Sequence, residues 1–326
     1  MPVRVLRRAH VLVLTSLGAL ALGGAANAGN GGVLPLSPHS PNAHAIGDIT
    51  LFVLVVAGSA LLIIEGLLVA IVLRYRRGAR ARTADGPQIR GAGRLSIASA
   101  VVPVVILAGI ATYAITRLPD VTDAPATGAA AQTTITVEGR QFYWLFRYPN
   151  GAVSVGTMIA PAGEVVVEKV VSADGDVAHG WFVPALGGRT DAIPGRTNTT
   201  WFKAPTGSYV ARCTELCGIQ HAKMSARIHV VPRVAYEAFI ARRLSEASGV
   251  ALGKEEFDNV CATCHRMDST FVGPALGANP ALMTRGNLTK ILREGIGQMP
   301  ASGSDWTDDQ LAALSAYTDT LKGVRG

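Results

Sequence analysis

The chain has 326 residues, which is too long for one small domain, and it combines 49% hydrophobic with only 16% charged residues. This balance predicts membrane-spanning segments attached to soluble domains and excludes a simple soluble protein. The formal net charge of +7 could suit a nucleic-acid-binding protein, but the arginines cluster in the N-terminal leader and between two apolar segments. That distribution indicates membrane topology and excludes a nucleic-acid-binding face.

The N-terminus has the pattern of an export signal. Arginines precede a short apolar run, and the small residues Ala-Asn-Ala at 26–28 form a cleavage pattern. An uncleaved anchor is the alternative, although the apolar run is short for a membrane span. We predict a signal peptide at 1–28, cleaved after Ala28, and an exported linker at 29–50.

Two apolar segments, 51–73 and 95–117, are each long enough to cross a bilayer, which takes ~20 helical residues. The arginine-rich segment 74–94 joins them and should be cytoplasmic by the positive-inside rule. Both flanking ends then lie outside, in agreement with the export signal. A linker of small residues, 118–132, follows.

Glu65 interrupts the first span. A carboxylate at membrane depth is costly and usually faces protein or water. Glu65 is therefore a candidate for proton uptake or for contact with a neighbouring helix. The alternative is a glutamate that snorkels or is paired and has no proton role.

From residue 133 the pattern changes to short β-rich segments separated by turn residues, at 133–137, 165–167, 209–211 and 226–231. Alternation and turn signals of this kind predict a β-sandwich or a Greek-key barrel. We place this domain at 133–233, and a helical connection follows at 234–248.

A short segment of this domain concentrates potential metal ligands: Cys213, Cys217, His221 and Met224. Soft sulfur ligands together with imidazole suit copper, and a weak thioether ligand is typical of copper sites. Two thiolates four residues apart can bridge two copper ions that share one electron. His179 is the candidate for the second imidazole.

Three other interpretations of this segment remain. Paired cysteines in an exported protein form disulfides by default, zinc also accepts Cys and His together, and the residues could be unrelated. A disulfide leaves the spacing of His221 and Met224 unexplained, and zinc has no use for Met224. Copper accounts for the whole set.

Residues 249–326 form a second module. Cys261-Ala-Thr-Cys264-His265 is the motif for covalent attachment of a c-type haem, in which both thiols add to the haem vinyl groups and His265 becomes an axial ligand. Met299 is the predicted sixth ligand, and Met283 is the runner-up. Ligation by His and Met raises the haem potential, which suits a respiratory electron donor.

Taken together, these features resemble subunit II of cytochrome c oxidase, which contains the dinuclear CuA centre. The resemblance rests on His179, on Thr-Asp-Ala-Ile-Pro-Gly-Arg at 190–196, on the block 213–224 and on the aromatic segment 139–144. The fused haem module is similar to that of caa(3)-type oxidases. The resemblance implies a two-helix transmembrane hairpin, an all-β cupredoxin-like domain and an all-α class I cytochrome c domain in one multidomain membrane protein.

The resemblance also implies the copper ligands, which are His179, Cys213, Cys217, His221, Met224 and the backbone carbonyl of Glu215. The Glu215 carboxylate would reach a magnesium ion shared with the catalytic subunit.

Two positions depart from the family pattern. Phe142 occupies the place where the family usually has the tryptophan that receives electrons from soluble cytochrome c. Arg94 and the residues after it stand where many members carry a glutamate at the start of the second span, so Glu65 could substitute for the usual proton-uptake carboxylate.

Neither predicted span contains a histidine, so neither can ligate a membrane haem or copper. Oxygen reduction must therefore occur in a partner. We expect electrons to pass from an external donor (a soluble cytochrome c, a cupredoxin or a respiratory complex) to the haem. They would continue through CuA to catalytic subunit I of a haem–copper oxidase, which assembles with other membrane subunits.

The expected location is a bacterial cell membrane, with both metal domains on the outer face. Alternatives are a CuA subunit of a nitric oxide reductase, a free-standing membrane electron carrier, and a copper assembly or storage protein.

Overall fold

The computed structural model describes residues 37–76, 93–125, 132–277 and 284–322. The predicted signal peptide, most of the arginine-rich segment 74–94 and Met283 lie outside these residues.

Two long helices make up one compact unit, α1 (Pro41–Arg76) and α2 (Gly93–Thr122). Both are long and apolar enough to cross a membrane, and no residue in the most apolar window of either helix is buried. Glu65 lies in α1 and is exposed. The helix begins at Pro41, well before the predicted span at 51, because Ser40-Pro41 is a helix start signal that the hydropathy pattern does not register.

The second unit contains a β-sandwich. Its strands are β1 (Gln132–Arg140), β2 (Tyr143–Arg147), β3 (Val153–Val155), β4 (Thr157–Pro161), β5 (Val165–Ser172), β6 (His179–Phe182), β7 (Arg189–Ala192), β8 (Asn198–Phe202), β9 (Gly207–Cys213) and β10 (Ser225–Val231). They form two five-stranded sheets, in the orders β3-β2-β1-β5-β8 and β4-β10-β9-β6-β7. The pairs β1–β5 and β4–β10 are parallel, and the other pairs are antiparallel. This is the all-β, cupredoxin-like domain that the sequence predicts.

Residues just before α1 and at its first turn pack against this sandwich. The amide of His39 donates to the carbonyl of Ala185 at 2.7 Å, and Asn42 Nδ2 donates to the carbonyl of Trp201 at 2.5 Å. Ser40 and Asn42 are buried. Residues 39–42, within the segment predicted as a linker, are therefore fixed to the sandwich.

The C-terminal part of the second unit is helical. It contains α3 (Arg233–Ser245), α4 (Val250–Glu256) continued by a π-helical turn (Phe257–Cys261), α5 (Arg285–Glu294) and α6 (Asp308–Lys322). Helices α4 and α6 cross so closely that a Cβ atom on Gly253 would lie 1.9 Å from the carbonyl oxygen of Ala313. Leu311 and Leu314 on α6 are buried, as the helical spacing of apolar residues predicts.

The crossing of α4 and α6 gives a stability prediction. Gly253→Ala should destabilise the helical domain by about 1–3 kcal/mol, because the new methyl group forces the helices apart. Gly286→Ala is the matched control, since no atom lies within 4 Å of its Cβ position in α5, and it should stabilise the helix by about 0.5 kcal/mol. Denaturant unfolding followed by circular dichroism measures both. Equal stability of the two variants would contradict the close crossing.

The sandwich core contains a buried carboxyl group, that of Glu168, whose hydrogen bonding is incomplete. Glu168 on β5 is buried, and its Oε1 atom has no hydrogen-bond partner among the described residues. Burial raises the pKa of Glu168 to about 8, and the neighbouring Trp181 indole offsets only part of this rise. The folded protein therefore keeps this carboxyl protonated at neutral pH.

The raised pKa of Glu168 gives a prediction about pH. Because the folded-state pKa exceeds the unfolded value of 4.5, the folded state retains a proton that the unfolded state releases. The free energy of unfolding should therefore fall by ~1.4 kcal/mol per pH unit as the pH rises from 4.5 towards 8. Glu168→Gln should remove this fall, whereas the exposed Glu246→Gln should leave it intact. Identical slopes for the two variants in urea unfolding would refute the assignment.

Candidate functional site

The structure brings His179, Cys213 and Cys217 together in the sandwich. Their ligand atoms all lie within 4.8 Å of one another, and all three residues are buried. Cys217 Sγ lies 3.9 Å from Cys213 Sγ, 3.6 Å from His221 Nδ1 and 3.8 Å from the sulfur of Met224. The sulfur and imidazole atoms named from the sequence therefore converge on one point.

Three elements hold these ligands in place. Cys213 ends β9 and Ser225 begins β10, so the ligand loop connects two paired strands. The amide of Cys213 donates to the carbonyl of Met224 at 3.0 Å and closes the loop. Thr214 N donates to the carbonyl of Gly180 at 3.0 Å, which ties the loop to the strand that begins with His179.

His179 is suited to metal binding. Its side chain is fully buried, and Nδ1 has no hydrogen-bond partner in the described part of the chain. Nε2 faces Asp176 Oδ1 at 3.4 Å, an arrangement that orients a ligating histidine. Burial alone would lower the pKa of His179, but its contacts with Asp176 and Cys213 raise the pKa overall.

The two thiols share a proton. The hydrogen bond with Cys217 lowers the pKa of Cys213 to about 3, and the same contact raises the pKa of Cys217 above that of a free thiol. The contact thus favours loss of the first proton from Cys213 over loss from Cys217. A bound cation would displace the thiol protons, since metal ions bind thiolates.

Glu215 presents two groups to different surroundings. Its backbone carbonyl lies 3.3 Å from Cys213 Sγ, at the cluster. Its exposed carboxylate forms an ion pair with Arg189, whose Nε also donates to Asp191 at 2.8 Å. Sequence reasoning missed Arg189 as the partner of this carboxylate.

Phe142 covers one side of the ligand loop. A Cβ atom on Gly218 would lie 2.9 Å from the Phe142 ring, and Gln141 Nε2 donates to the carbonyl of Cys217 at 2.6 Å. Gly218 has a φ of 129°, a conformation that other residues rarely adopt. The side chains that support the cluster were not predicted, although Asp176 stands only three residues before His179.

The haem-attachment motif lies at the junction of the π-helical turn and the following loop. Cys261 and Cys264 are half-buried free thiols. His265 Nδ1 lies 2.8 Å from the carbonyl oxygen of Pro274. That contact fixes Nδ1 as the protonated nitrogen and leaves Nε2 available as an axial ligand. The residues thus fit a covalently attached haem.

Met299 occupies a tight turn in the same domain. The amides of Ile296 and Met299 exchange hydrogen bonds with each other's carbonyls at 3.1 and 2.9 Å, and positive φ angles at Gly295 and Gly297 allow the turn. Met299 is partly buried and packs against the core of the helical domain. Its sulfur is therefore held within the domain that carries the haem motif.

A buried thiol–imidazole–thioether cluster on a β-sandwich, joined to a c-type haem motif, defines a membrane-anchored copper- and haem-type electron-transfer protein. Comparison with known families agrees. The family "Cytochrome C oxidase subunit II, periplasmic domain" matches residues 154–231. The family "Cytochrome C oxidase, cbb3-type, subunit III" matches residues 249–317.

Whole-chain comparisons extend this match. Cytochrome c oxidase subunit 2 of Alkalihalophilus pseudofirmus is 29% identical over 88% of this chain and 90% of the relative. The probable cytochrome c oxidase subunit 2 of Rickettsia bellii is 30% identical over 64% of this chain and 82% of the relative. The solved periplasmic domain of subunit II of cytochrome oxidase from Bradyrhizobium japonicum is 34% identical, covering 35% of this chain and 94% of that chain, with a TM-score of 0.33.

The chain belongs to the cytochrome c oxidase subunit II family, and it carries a fused cytochrome c domain. It is thus a subunit of a cytochrome c oxidase, an oxidoreductase.

The close approach of Gly218 and Phe142 gives a prediction about the cluster. Gly218→Ala adds a methyl group that collides with the ring and strains the backbone, which should weaken copper retention roughly tenfold. Leu216→Ala is the control, because Leu216 lies in the same loop and is 80% exposed. Copper per chain after dialysis against a chelator measures the effect. Equal retention in both variants would show that Gly218 does not shape the loop.

Proposed function

We propose that this chain is the subunit through which electrons enter a terminal oxidase. A haem c covalently bound at Cys261 and Cys264 would supply a one-electron carrier, and a dinuclear CuA centre would supply a second one. Electrons would pass from the first to the second and then to catalytic subunit I, which reduces oxygen to water. The convergence of His179, Cys213 and Cys217 within 4.8 Å is the observation that carries the proposal.

The copper assignment uses the residues around that point. His179, Cys213, Cys217, His221 and Met224 would be the side-chain ligands, and the Glu215 carbonyl would complete the set. Two close thiols favour a dinuclear over a mononuclear site, since two thiolates can bridge two coppers and a blue-copper site uses one. The buried surroundings keep water away from the sulfur atoms.

The haem assignment uses the helical domain. His265 and Met299 would be the two axial ligands, and the hydrogen bond from His265 Nδ1 to the Pro274 carbonyl would orient the imidazole. An axial Met ligand raises the potential, which suits a donor to copper.

The Glu215 carboxylate is proposed as a ligand of a magnesium ion shared with the catalytic subunit. In the isolated chain Arg189 neutralises this carboxylate. Binding of a cation would therefore require Arg189 to turn away, which the exposed position of both side chains allows.

The topology remains as the sequence predicts it. Residues 1–28 would be a signal peptide, 74–94 a cytoplasmic loop, and both metal domains would lie outside a bacterial cell membrane. The domain bounds 133–233 and 249–326 are retained. Glu65 is proposed to face the catalytic subunit and to take up protons.

Electron paramagnetic resonance of the oxidised, copper-loaded full chain tests the proposal. We expect the hyperfine pattern of one electron shared equally by two coppers. Cys217→Ser should convert it to the pattern of a single copper, because only one thiolate remains to bind. Cys261→Ser, which changes a cysteine of the haem motif, should leave the copper pattern unchanged and remove one thioether bond. A single-copper pattern or no copper signal in the unchanged chain would overturn the dinuclear assignment.

A further inference from the structure

The contact between the sandwich and the helical domain begins with an apolar surface on β2. Trp144 and Phe146 point into the sandwich core, whereas Tyr143 and Leu145 point the other way and are still only 2% and 0% exposed. They pack against the helical domain in a cluster with Val155, Phe257, Leu276, Leu288, Leu292, Trp306, Leu311 and Leu314. A strand buried on both faces by two different domains indicates a fixed interface.

The hydroxyl group of Tyr143 forms two hydrogen bonds with the helical domain at this interface. It donates to the carbonyl of Ser302 at 2.5 Å and accepts from Trp306 Nε1 at 2.9 Å. Ser302 stands three residues after Met299, so the sandwich contacts the segment that carries the predicted haem ligand. Asn259 Nδ2 adds a bond to the carbonyl of Val155 at 3.2 Å.

A charged group completes the interface. The Arg140 and Glu138 side chains are 3% and 7% exposed and form an ion pair, and Arg147 Nε lies 2.9 Å from Glu138. The sandwich alone thus presents two guanidinium groups and one carboxylate. Asp305 of the helical domain, whose side chain is 53% exposed, pairs with Arg140 and lies 3.8 Å from Arg147, which balances the charges. Without Asp305, the two guanidinium groups would share the single carboxylate of Glu138, and a buried charge with incomplete compensation is unfavourable.

Residues next in sequence to both candidate metal sites border one cleft beside this contact. A cleft of about 320 Å³ is lined on one side by Phe142, Tyr143, Lys223 and Ser225, and on the other by Asp258, Asn259, Ala262, Thr263, Arg266 and Phe271. Ala262 and Thr263 separate the two cysteines of the haem motif. Phe142 reaches from the cleft to the loop that carries Cys217. Phe142 therefore stands between the cleft that Ala262 and Thr263 border and the loop that carries Cys217.

We propose that Asp305 and Tyr143 are positioning residues that latch the haem domain onto the copper domain in one fixed arrangement for electron transfer between them. This inference rests on the proposed function for the transfer step, in which the haem loses one electron and the copper centre gains it. In this arrangement the helical domain lies across the cleft from Phe142. An external donor therefore delivers its electrons to the haem domain and not to the copper domain at Phe142.

Hydrogen exchange of the full chain without metals tests the latch first. Asp305→Asn should speed exchange of the amides at 299–306 roughly tenfold, because Arg140 and Arg147 then share only the Glu138 carboxylate and the domain opens more often. Asp309→Asn is the matched control, since it removes the same charge from an exposed position on α6 and should change nothing. Asp305→Glu should restore slow exchange in part. Equal exchange in the two asparagine variants overturns the latch.

The metal-loaded full chain tests the positioning role. Haem-to-copper electron transfer after rapid photoreduction of the haem should slow by roughly tenfold in Asp305→Asn and in Tyr143→Phe, in proportion to the opened fraction. Pulsed resonance measurements should show a broadened haem-to-copper distance only in these variants. Unchanged rates and distances would overturn the positioning role while leaving the proposed function intact. Absence of any transfer in the unchanged chain would instead refute the proposed function, and the exchange result would still decide the latch.

Discussion

The alternation of side chains along β2 (Tyr143–Arg147) decides which residues enter the sandwich core and which contact the helical domain. Successive residues of a strand point to opposite faces of the sheet. Trp144 therefore lies in the sandwich core, with ring centroids 4.8 Å from Trp181 and 6.0 Å from His179. Tyr143, one residue earlier, lies in the interface with the helical domain. A single short strand thus supports the cluster that binds metal and the domain that carries the haem motif.

The loop that carries the candidate ligands is held at several points. The ligand loop is closed on itself by a backbone hydrogen bond, held to β6 by Thr214, and covered by Phe142. A sandwich with a close-packed interior resists changes in the positions of its loops. Ligands that barely move suit electron transfer, because little geometry has to change when the charge on the metal changes.

Buried charges divide into two kinds in this chain. The buried pair of Glu138 and Arg140 meets the half-exposed Asp305 of the helical domain, and this contact favours one arrangement of the two domains. His179 and Glu168 are buried with atoms that lack hydrogen-bond partners among the described residues. The unpartnered His179 nitrogen fits the metal ligation proposed for this residue. Protonation accommodates the Glu168 carboxyl, at a cost in stability that grows with pH.

The two apolar helices and the class of each domain were predicted correctly from local sequence patterns, and the same patterns supplied the candidate ligands and the haem motif. Cys213, Cys217, His221 and Met224 fall within one loop, so their spacing alone brings them together, and the haem motif is equally local. The structure agrees with the predicted β-rich and helical segments because apolar periodicity reports directly which face is buried. Both long helices extend beyond the apolar segments predicted as spans, since signals such as Pro41 favour a helix without adding hydropathy.

Tertiary structure decided what depends on residues far apart in the chain. Tyr143 and Trp306 are 163 positions apart, and nothing in either local pattern indicates that they meet. The same holds for Arg140 with Asp305 and for Glu215 with Arg189. A sequence pattern gives the face on which a side chain lies, but the partner on that face is set by how whole domains pack. The supports of the cluster and the contact between the two domains could therefore be read only from the folded chain.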